Sequence, residues 1–428
     1  MSELRYWIWL STLTNVRPRS KRLLVERLGG VREAFFARDE DYRELGFLSD
    51  EEREALGIKR LSGVNEVLGR CEEQNIGIVT MQDAAYPNRL LEIFDPPLVL
   101  YVRGKLPNID DLCSVAVVGT RSASIYGLET AQNMAYGICK CGGLVVSGLT
   151  RGVDEAAARG ALLANGPCVG VLGVPIDSVR WDGGIAWDVA MAGAVVSEYP
   201  PGAKTHQSFF RARNRITSGL SVAALVIEAP ARSGALLFAD EALGQGREVF
   251  AVPGNITAPN SAGSNRLIME GAHPAVSAWD VLAGFTGRFP TLNEAGRVKK
   301  PPRDLAEAAV AESAERVKAA EEDGEEAENE PKKAKSPRRG KLRPKKDVDK
   351  PEAEEYSDLV KQLEGLSDAQ LKIVSAVTAK HTHVDDIIER SGLPAAQGAP
   401  SGCGCARWPV AQLHQKFYLV YVLSQLFW

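Results

Sequence analysis

The densest run of chemically useful side chains lies between Tyr199 and Ile216. It reads Tyr-Pro-Pro-Gly-Ala-Lys-Thr-His-Gln-Ser-Phe-Phe-Arg-Ala-Arg-Asn-Arg-Ile. No Asp or Glu occurs between Glu198 and Glu228, whereas Lys204, Arg211, Arg213 and Arg215 do, with Phe209 and Phe210 beside them. Cations neutralise a phosphate backbone and aromatic faces stack unpaired bases, each stack contributing ~1–3 kcal/mol. The mixture therefore points to single-stranded nucleic acid. A structural use of the same residues would put one Phe in the core and pair some arginines with carboxylates such as Glu228. Arg213 and Asn214 are the first candidates for that role.

Two shorter stretches repeat the theme. Gly119-Thr120-Arg121-Ser122-Ala123-Ser124 precedes a helix beginning near Gly127. Arg121 and hydroxyls such as that of Ser122 suit a phosphate held by charge, amide donors and the helix dipole; a solvated turn is the alternative. In Ser147-Gly148-Leu149-Thr150-Arg151-Gly152-Val153-Asp154, Ser147 and Thr150 offer hydroxyls and Gly148 permits close backbone approach. Asp154 is placed to cap the following helix. Ser233-Gly234, Pro253-Gly254-Asn255 and Gly263-Ser264-Asn265-Arg266 are further turns able to hold phosphate or simply to reverse the chain.

Other chemistries lack their residues. The glycine fingerprint of dinucleotide enzymes and the Walker lysine loop do not occur. The five histidines have no metal spacing, no nucleophile elbow is present, and no helix face carries paired acids. Seven cysteines in 428 residues make neither a disulfide framework nor a zinc site. The expectation is a protein without catalysis, cofactor or metal. Its 45% hydrophobic and 25% charged composition is that of a soluble protein. Neither the apolar start nor Phe417–Trp428 is long enough to span a bilayer, and no signal peptide is apparent, so a cytoplasmic location away from membranes is expected. A net charge of −4 would argue against a nucleic-acid partner, but local clustering of charge decides phosphate binding.

These loops need elements to position them. Residues 111–285 alternate Val-rich apolar runs with helical stretches, the pattern of a mainly parallel sheet wrapped by helices. Strands are expected at Val115–Gly119, Leu144–Ser147, Val169–Gly173, Ala194–Ser197, Ala223–Glu228 and Val249–Val252, with a short piece near Pro274–Ser277. This is an α/β, Rossmann-like, doubly wound unit whose ligands sit at the carboxyl ends of its strands. Residues 1–75 read as a small helical domain of the SAM or helix-hairpin-helix kind, serving DNA binding or packing. Residues 76–110 read as an extended connector containing a strand at Leu98–Arg103. Residues 286–355 pass through an acidic block, Glu321–Glu330, into a basic block, Lys332–Lys346, with few large apolar residues. That composition is expected of a disordered linker. Residues 356–428 open like a winged helix, but the composition shifts abruptly after residue 397, and a change of reading frame near Gly398 would account for it.

The ordered set of motifs resembles the DNA-processing protein A (DprA/Smf) family. It consists of Gly119-Thr120-Arg121, Ser147-Gly148 with Gly152-Val153-Asp154, Ser197-Glu198-Tyr199-Pro200-Pro201-Gly202, Phe210 with Arg213-Asn214-Arg215-Ile216, Ser233-Gly234-Ala235, Val252-Pro253-Gly254-Asn255 and Gly263-Ser264-Asn265. The resemblance implies a protein that binds and protects incoming single-stranded DNA during natural transformation. It would help to load a RecA-type recombinase and act as a homodimer. By motif match, Arg121, Ser147, Lys204 and Phe210 would line the DNA pocket. Two departures stand in the same region: Ala158 where relatives often carry histidine, and Phe210-Arg211 in place of the family's Phe-Pro. An enzyme reading, a nucleotide phosphoribohydrolase on a related fold, lacks its Pro-Gly-Gly-x-Gly-Thr loop. A purely protein-binding role is the remaining alternative.

Overall fold

The computed structural model describes residues 3–296 continuously and further positions between 301 and 318. These belong to one compact unit, Met1–Lys332. The features expected of residues 333–428, including the winged helix and the change near Gly398, lie outside the described residues.

Six helices come first: α1 Leu4–Thr12, α2 Pro18–Leu28, α3 Val31–Phe36, α4 Asp39–Glu44, α5 Asp50–Gly57 and α6 Ser62–Glu73. Pro18 at the first position of α2 and left-handed Gly29 after its end mark that helix's limits. Trp7, Ile8, Trp9 and Leu10 of α1 are buried in a hydrophobic cluster that continues into one face of the sheet through Val115, Val117 and Leu225.

The sheet has nine strands: β1 Gly77–Thr80, β2 Val99–Gly104, β3 Ser114–Val118, β4 Leu144–Ser147, β5 Cys168–Leu172, β6 Ala194–Ser197, β7 Ala223–Val226, β8 Glu248–Ala251 and β9 His273–Pro274. The expected strands are present within two residues at either end, except that the last covers His273–Pro274 in place of Pro274–Ser277, and β1 is additional. Between and after the strands lie α7 Asn88–Leu91, α8 Ile125–Lys140, α9 Val153–Leu163, α10 Ile185–Ala192, α11 Ser208–Ala212, α12 Asn214–Gly219, α13 Gly234–Gly244, α14 Ala262–Met269 and α15 Ala278–Leu282.

The strand order is β1-β2-β6-β5-β4-β3-β7-β8-β9. Pairing is parallel from β6 to β9, whereas β1 with β2 and β2 with β6 are antiparallel. The two strands of the connector thus extend the sheet beyond β6. All residues of β3, β4, β5, β6 and β7 are buried, which accounts for their unbroken apolar runs. From β3 the chain winds one way through β4, β5 and β6; from β7, its neighbour, it winds the other way through β8 and β9. The gap between the carboxyl ends of β3 and β7 is therefore the topological switch point, where open α/β sheets bind ligands.

Residues 286–296, assigned by composition to the linker, pack onto this unit instead. Phe289 and Leu292 are buried, and the Asn293 amide donates to the Cys141 carbonyl. Farther on, Val310 is buried and Glu312 pairs with Arg159 at 2.8 Å. A few well-placed apolar residues outweigh an otherwise polar composition.

Candidate nucleic-acid interface

The loop after β3 is fixed from below by Glu228, buried just beyond β7. Its carboxylate accepts from the Ser124 amide at 2.9 Å and the Ser124 hydroxyl at 2.6 Å, while its own carbonyl accepts from the Thr120 amide. Ser124 in turn caps α8 through the Gly127 amide. Glu228 is thus a loop anchor rather than a partner for arginines. Arg121, on the outer side of the loop, is exposed and its guanidinium lies 5.3 Å from the Phe210 ring centroid.

A cavity of about 470 Å³ opens at the switch point. Its walls come from the loop after β3 (Gly119 to Arg121), the start of the loop after β4 (Gly148), the α11–α12 segment (Phe210, Arg211, Arg213, Asn214) and the loop and helix after β7 (Arg232 to Ala235, Leu237, Phe238). Four arginines reach it: Arg121, Arg211, Arg213 and Arg232. Asp154 is the single acidic residue in its lining.

The floor is built on a glycine. A Cβ at Gly148 would collide with Arg213 Nη1 and with Asp154 Oδ2, so these two side chains occupy the space that Gly148 leaves open. The close approach at Gly148 is therefore made by Arg213. Arg213 is 7% exposed, and its guanidinium donates through Nη1 to the Val171 carbonyl at 3.0 Å. Burial pushes its pKa down, opposed by the Asp154 charge. Burial pushes the Asp154 carboxyl up, opposed by Arg213 and by the Thr150 hydroxyl, which donates to it at 2.9 Å.

The two neighbouring rings separate in role. Phe209 stacks on Tyr199 with centroids 3.6 Å apart and planes within 9°. Phe210, half-buried, turns into the cavity, and Gly173 admits its backbone, with a Cβ there lying only 3.0 Å from Phe210 Cα.

Of the residues expected to bind, Arg121, Gly148, Phe210, Arg211, Arg213 and Asn214 come together in this cavity, and four do not join them. Ser147 is fully buried; its hydroxyl donates to the Asp154 carbonyl and accepts from the Leu149 amide. Arg215 is buried and donates to both Glu198 carboxylate oxygens at 2.6 Å, with Asp95 at 3.3 Å. Ser122 is exposed outside the lining, and its amide donates to the Thr120 hydroxyl. Lys204 is exposed in the turn before α11, also outside the lining. Sequence reading passed over Arg232, Leu237 and Phe238. The Ser233-Gly234 pair, whose Ser233 side chain accepts from the Ala235 amide at the start of α13, was the available signal.

Comparison with known proteins bears on this arrangement. Residues 77–286 match the family model described as DNA recombination-mediator protein A. The chain is 36% identical over 218 residues to the DNA processing protein DprA of Bacillus subtilis, covering 50% of this chain and 73% of that protein. It is 37% identical over 233 residues to DprA of Streptococcus pneumoniae, covering 54% and 82%. The chain belongs to the DprA/Smf family of DNA recombination mediators. The X-ray structure of DprA from Streptococcus pneumoniae superposes with a TM-score of 0.57 at 30% identity, over 65% of this chain and 97% of that one. The matched region begins at β1, so the antiparallel pair at the sheet edge belongs to the family fold. Of the family motifs quoted from the sequence, Gly119-Thr120-Arg121, Gly148, Asp154, Phe210, Arg213-Asn214 and Ser233-Gly234-Ala235 line the switch-point cavity. Ala158, where relatives often carry histidine, is fully buried in α9, away from the cavity lining.

Proposed function

We propose that the switch-point cavity binds single-stranded DNA. On this reading the protein protects incoming DNA during natural transformation and helps load a RecA-type recombinase, without catalysing a reaction. The observation that carries the reading is the convergence of Arg121, Arg211, Arg213 and Arg232 on one recess beside the half-buried ring of Phe210. Phosphates meet cations, and an unpaired base meets an aromatic face. A duplex keeps its bases stacked and paired, so it can present phosphates to the rim but no base to the recess. Membership of a family of recombination mediators agrees with this. The carboxyl of Asp154, held by Thr150 beneath Arg213, has no second acid in the lining with which to share proton transfer.

The protein acts as a homodimer on the same reading. Apolar side chains stand exposed on and beside two helices that pack on one face of the sheet: Leu243 on α13 is 57% exposed and Met269 on α14 is 81% exposed. A second copy is a natural cover for them. Sedimentation of the wild type against Leu243→Glu is expected to separate dimer from monomer.

The deciding experiment titrates single-stranded and duplex oligonucleotides by fluorescence anisotropy at several salt concentrations. Single strands are expected to bind more tightly, with a log–log salt slope of about 0.7 per phosphate contacted. Arg121→Glu is expected to weaken that binding. Binding indifferent to salt and to Arg121 would overturn the reading.

A further inference from the structure

A second cation–ring pair stands open outside the cavity. The guanidinium of Arg19, the second residue of α2, lies 4.6 Å from the centroid of the Phe94 ring. Phe94 is 69% exposed and Arg19 is exposed with it; no other cation–ring pair among the described residues has both members exposed. A lone exposed apolar residue is ordinary, but here the local build holds the ring outward beneath the cation. Ile93 is buried and packs closely over Gly219, so the next side chain turns the other way. Pro96 and Pro97 then stiffen the chain. Arg22 donates to the Leu91 and Ile93 carbonyls at 3.3 Å each, which ties this connection to α2. Arg19 lies three residues earlier on the same face of that helix.

The position of the pair relates it to the cavity. β2 runs antiparallel to β6 with Tyr101 opposite Ser197, so the chain entering β2 lies at the carboxyl end of β6. The cavity opens on that same edge of the sheet. Asp95, next to Phe94, lies 3.3 Å from Arg215, which directly follows the cavity residues Arg213 and Asn214. From β6 towards the cavity runs the segment Tyr199–Arg211, with Lys204 and Arg211 exposed and no acid. β6 lies three strands from β3, roughly 15 Å at the usual spacing. The acids near the pair are already engaged: Asp95 with Arg215, Glu26 with Arg22 at 2.7 Å, and Glu92 acting on Arg247. Arg19 makes no ion pair among the described residues.

From this arrangement we infer that the strand held in the cavity continues along Tyr199–Arg211 to Arg19 and Phe94. There a further base stacks on the ring and a phosphate meets the guanidinium, the same chemistry as at Arg121 and Phe210. The inference rests on the single-strand reading and lengthens its site, bringing the N-terminal helices into DNA binding through the exposed face of α2. A docked protein would want an apolar surround for Phe94. The other exposed residues of α2 and of Leu91–Leu98 are all charged: Arg19, Glu26, Arg27 and Glu92.

The test titrates the full chain, wild type and variants, with oligothymidylates from about four to about twenty nucleotides, a range bracketing the usual span of a single-strand groove. Phe94→Ala and Arg19→Ala change exposed side chains, and their melting temperatures should match wild type. The shortest strands, held by the cavity alone, are expected to bind both variants as they bind wild type. The longest should bind Phe94→Ala about tenfold more weakly, the scale of one stacked base. For those strands Arg19→Ala should lower the log–log salt slope by about 0.7, one phosphate contact. Arg121→Glu should weaken binding at every length. Long strands that bind both variants as tightly as wild type overturn the inference and leave cavity binding intact; a changed sedimentation coefficient of Phe94→Ala alongside would assign the ring to a protein contact. A loss equal at all lengths also overturns it, because the pair would then act through the fold of the cavity. Failure of every strand to bind wild type overturns the reading beneath it.

Discussion

The Arg121 guanidinium sits 5.3 Å from the centre of the Phe210 ring, although the two residues come from a loop and a helix 89 positions apart in the chain. The pair is a cation–π contact that leaves Arg121 exposed and Phe210 half-buried at the cavity mouth. A base entering there would stack on the ring while its phosphate meets the arginine. Phe210→Ala is expected to weaken oligonucleotide binding by ~1–3 kcal/mol, the usual value of one stacked base. Arg121→Ala should cost a similar amount, and the double variant less than the sum because the residues touch. Strict additivity in anisotropy titrations would mean that they act on separate parts of the strand.

Gly148 makes a sharper demand. Any side chain there displaces the Arg213 guanidinium or the Asp154 carboxylate. Gly148→Ala should therefore reduce oligonucleotide affinity by about tenfold or more through Arg213, and lower the melting temperature by several degrees, the scale of a ~1–3 kcal/mol overpacking cost. A variant with wild-type affinity and melting temperature would show that the floor relaxes freely.

Much of this was readable in the sequence, for identifiable reasons. Strands β3 to β7 announce themselves as short Val- and Ala-rich runs because both of their faces are buried. The loops that follow them supply most of the cavity because ligands collect at the strand ends. What stayed hidden depends on direction and on distance along the chain. Arg213 and Arg215 are two residues apart, so on a helical backbone they point to nearly opposite sides. One reaches the cavity and the other pairs with Glu198. Ser147 carries a useful hydroxyl but ends a fully buried strand, where the hydroxyl turns to the Asp154 carbonyl. Arg232 joins the site only because β7 lies beside β3, a neighbourhood that no local pattern reveals.

The Arg215–Glu198 pair tests this division of labour. Breaking a buried pair strands one charge, typically costing ~3–5 kcal/mol. Glu198→Gln should therefore lower the urea midpoint markedly. Arg215→Met combined with Glu198→Leu and Asp95→Asn should recover part of the loss, because the cation leaves together with both of its carboxylate partners. Where Arg215→Lys remains folded, its oligonucleotide affinity should stay within about twofold of wild type, since 1.4 kcal/mol corresponds to tenfold and no contact to the strand is lost. A large loss of affinity in folded Arg215→Lys would return Arg215 to the binding site.

The N-terminal helices offer a test by pH. Arg17, at the start of α2, donates to Glu52 of α5 through its backbone amide at 3.0 Å and its guanidinium at 2.7 Å. Burial alone would raise the Glu52 carboxyl, but the hydrogen bonds from Arg17, Ser49 and Ser20 outweigh it and hold the group at about 2, below its ordinary 4.5. A carboxyl depressed in the folded state contributes stability that is complete above the unfolded value and is lost as pH falls through the folded one. The contribution should thus fade between about 4.5 and about 2. Glu52→Gln removes the titrating group. Its urea midpoint should lie below wild type at pH 6, and the gap should narrow as the pH is lowered through that window. Curves for the two proteins that remain parallel down to pH 2 would show that Arg17 and Glu52 do not couple in solution.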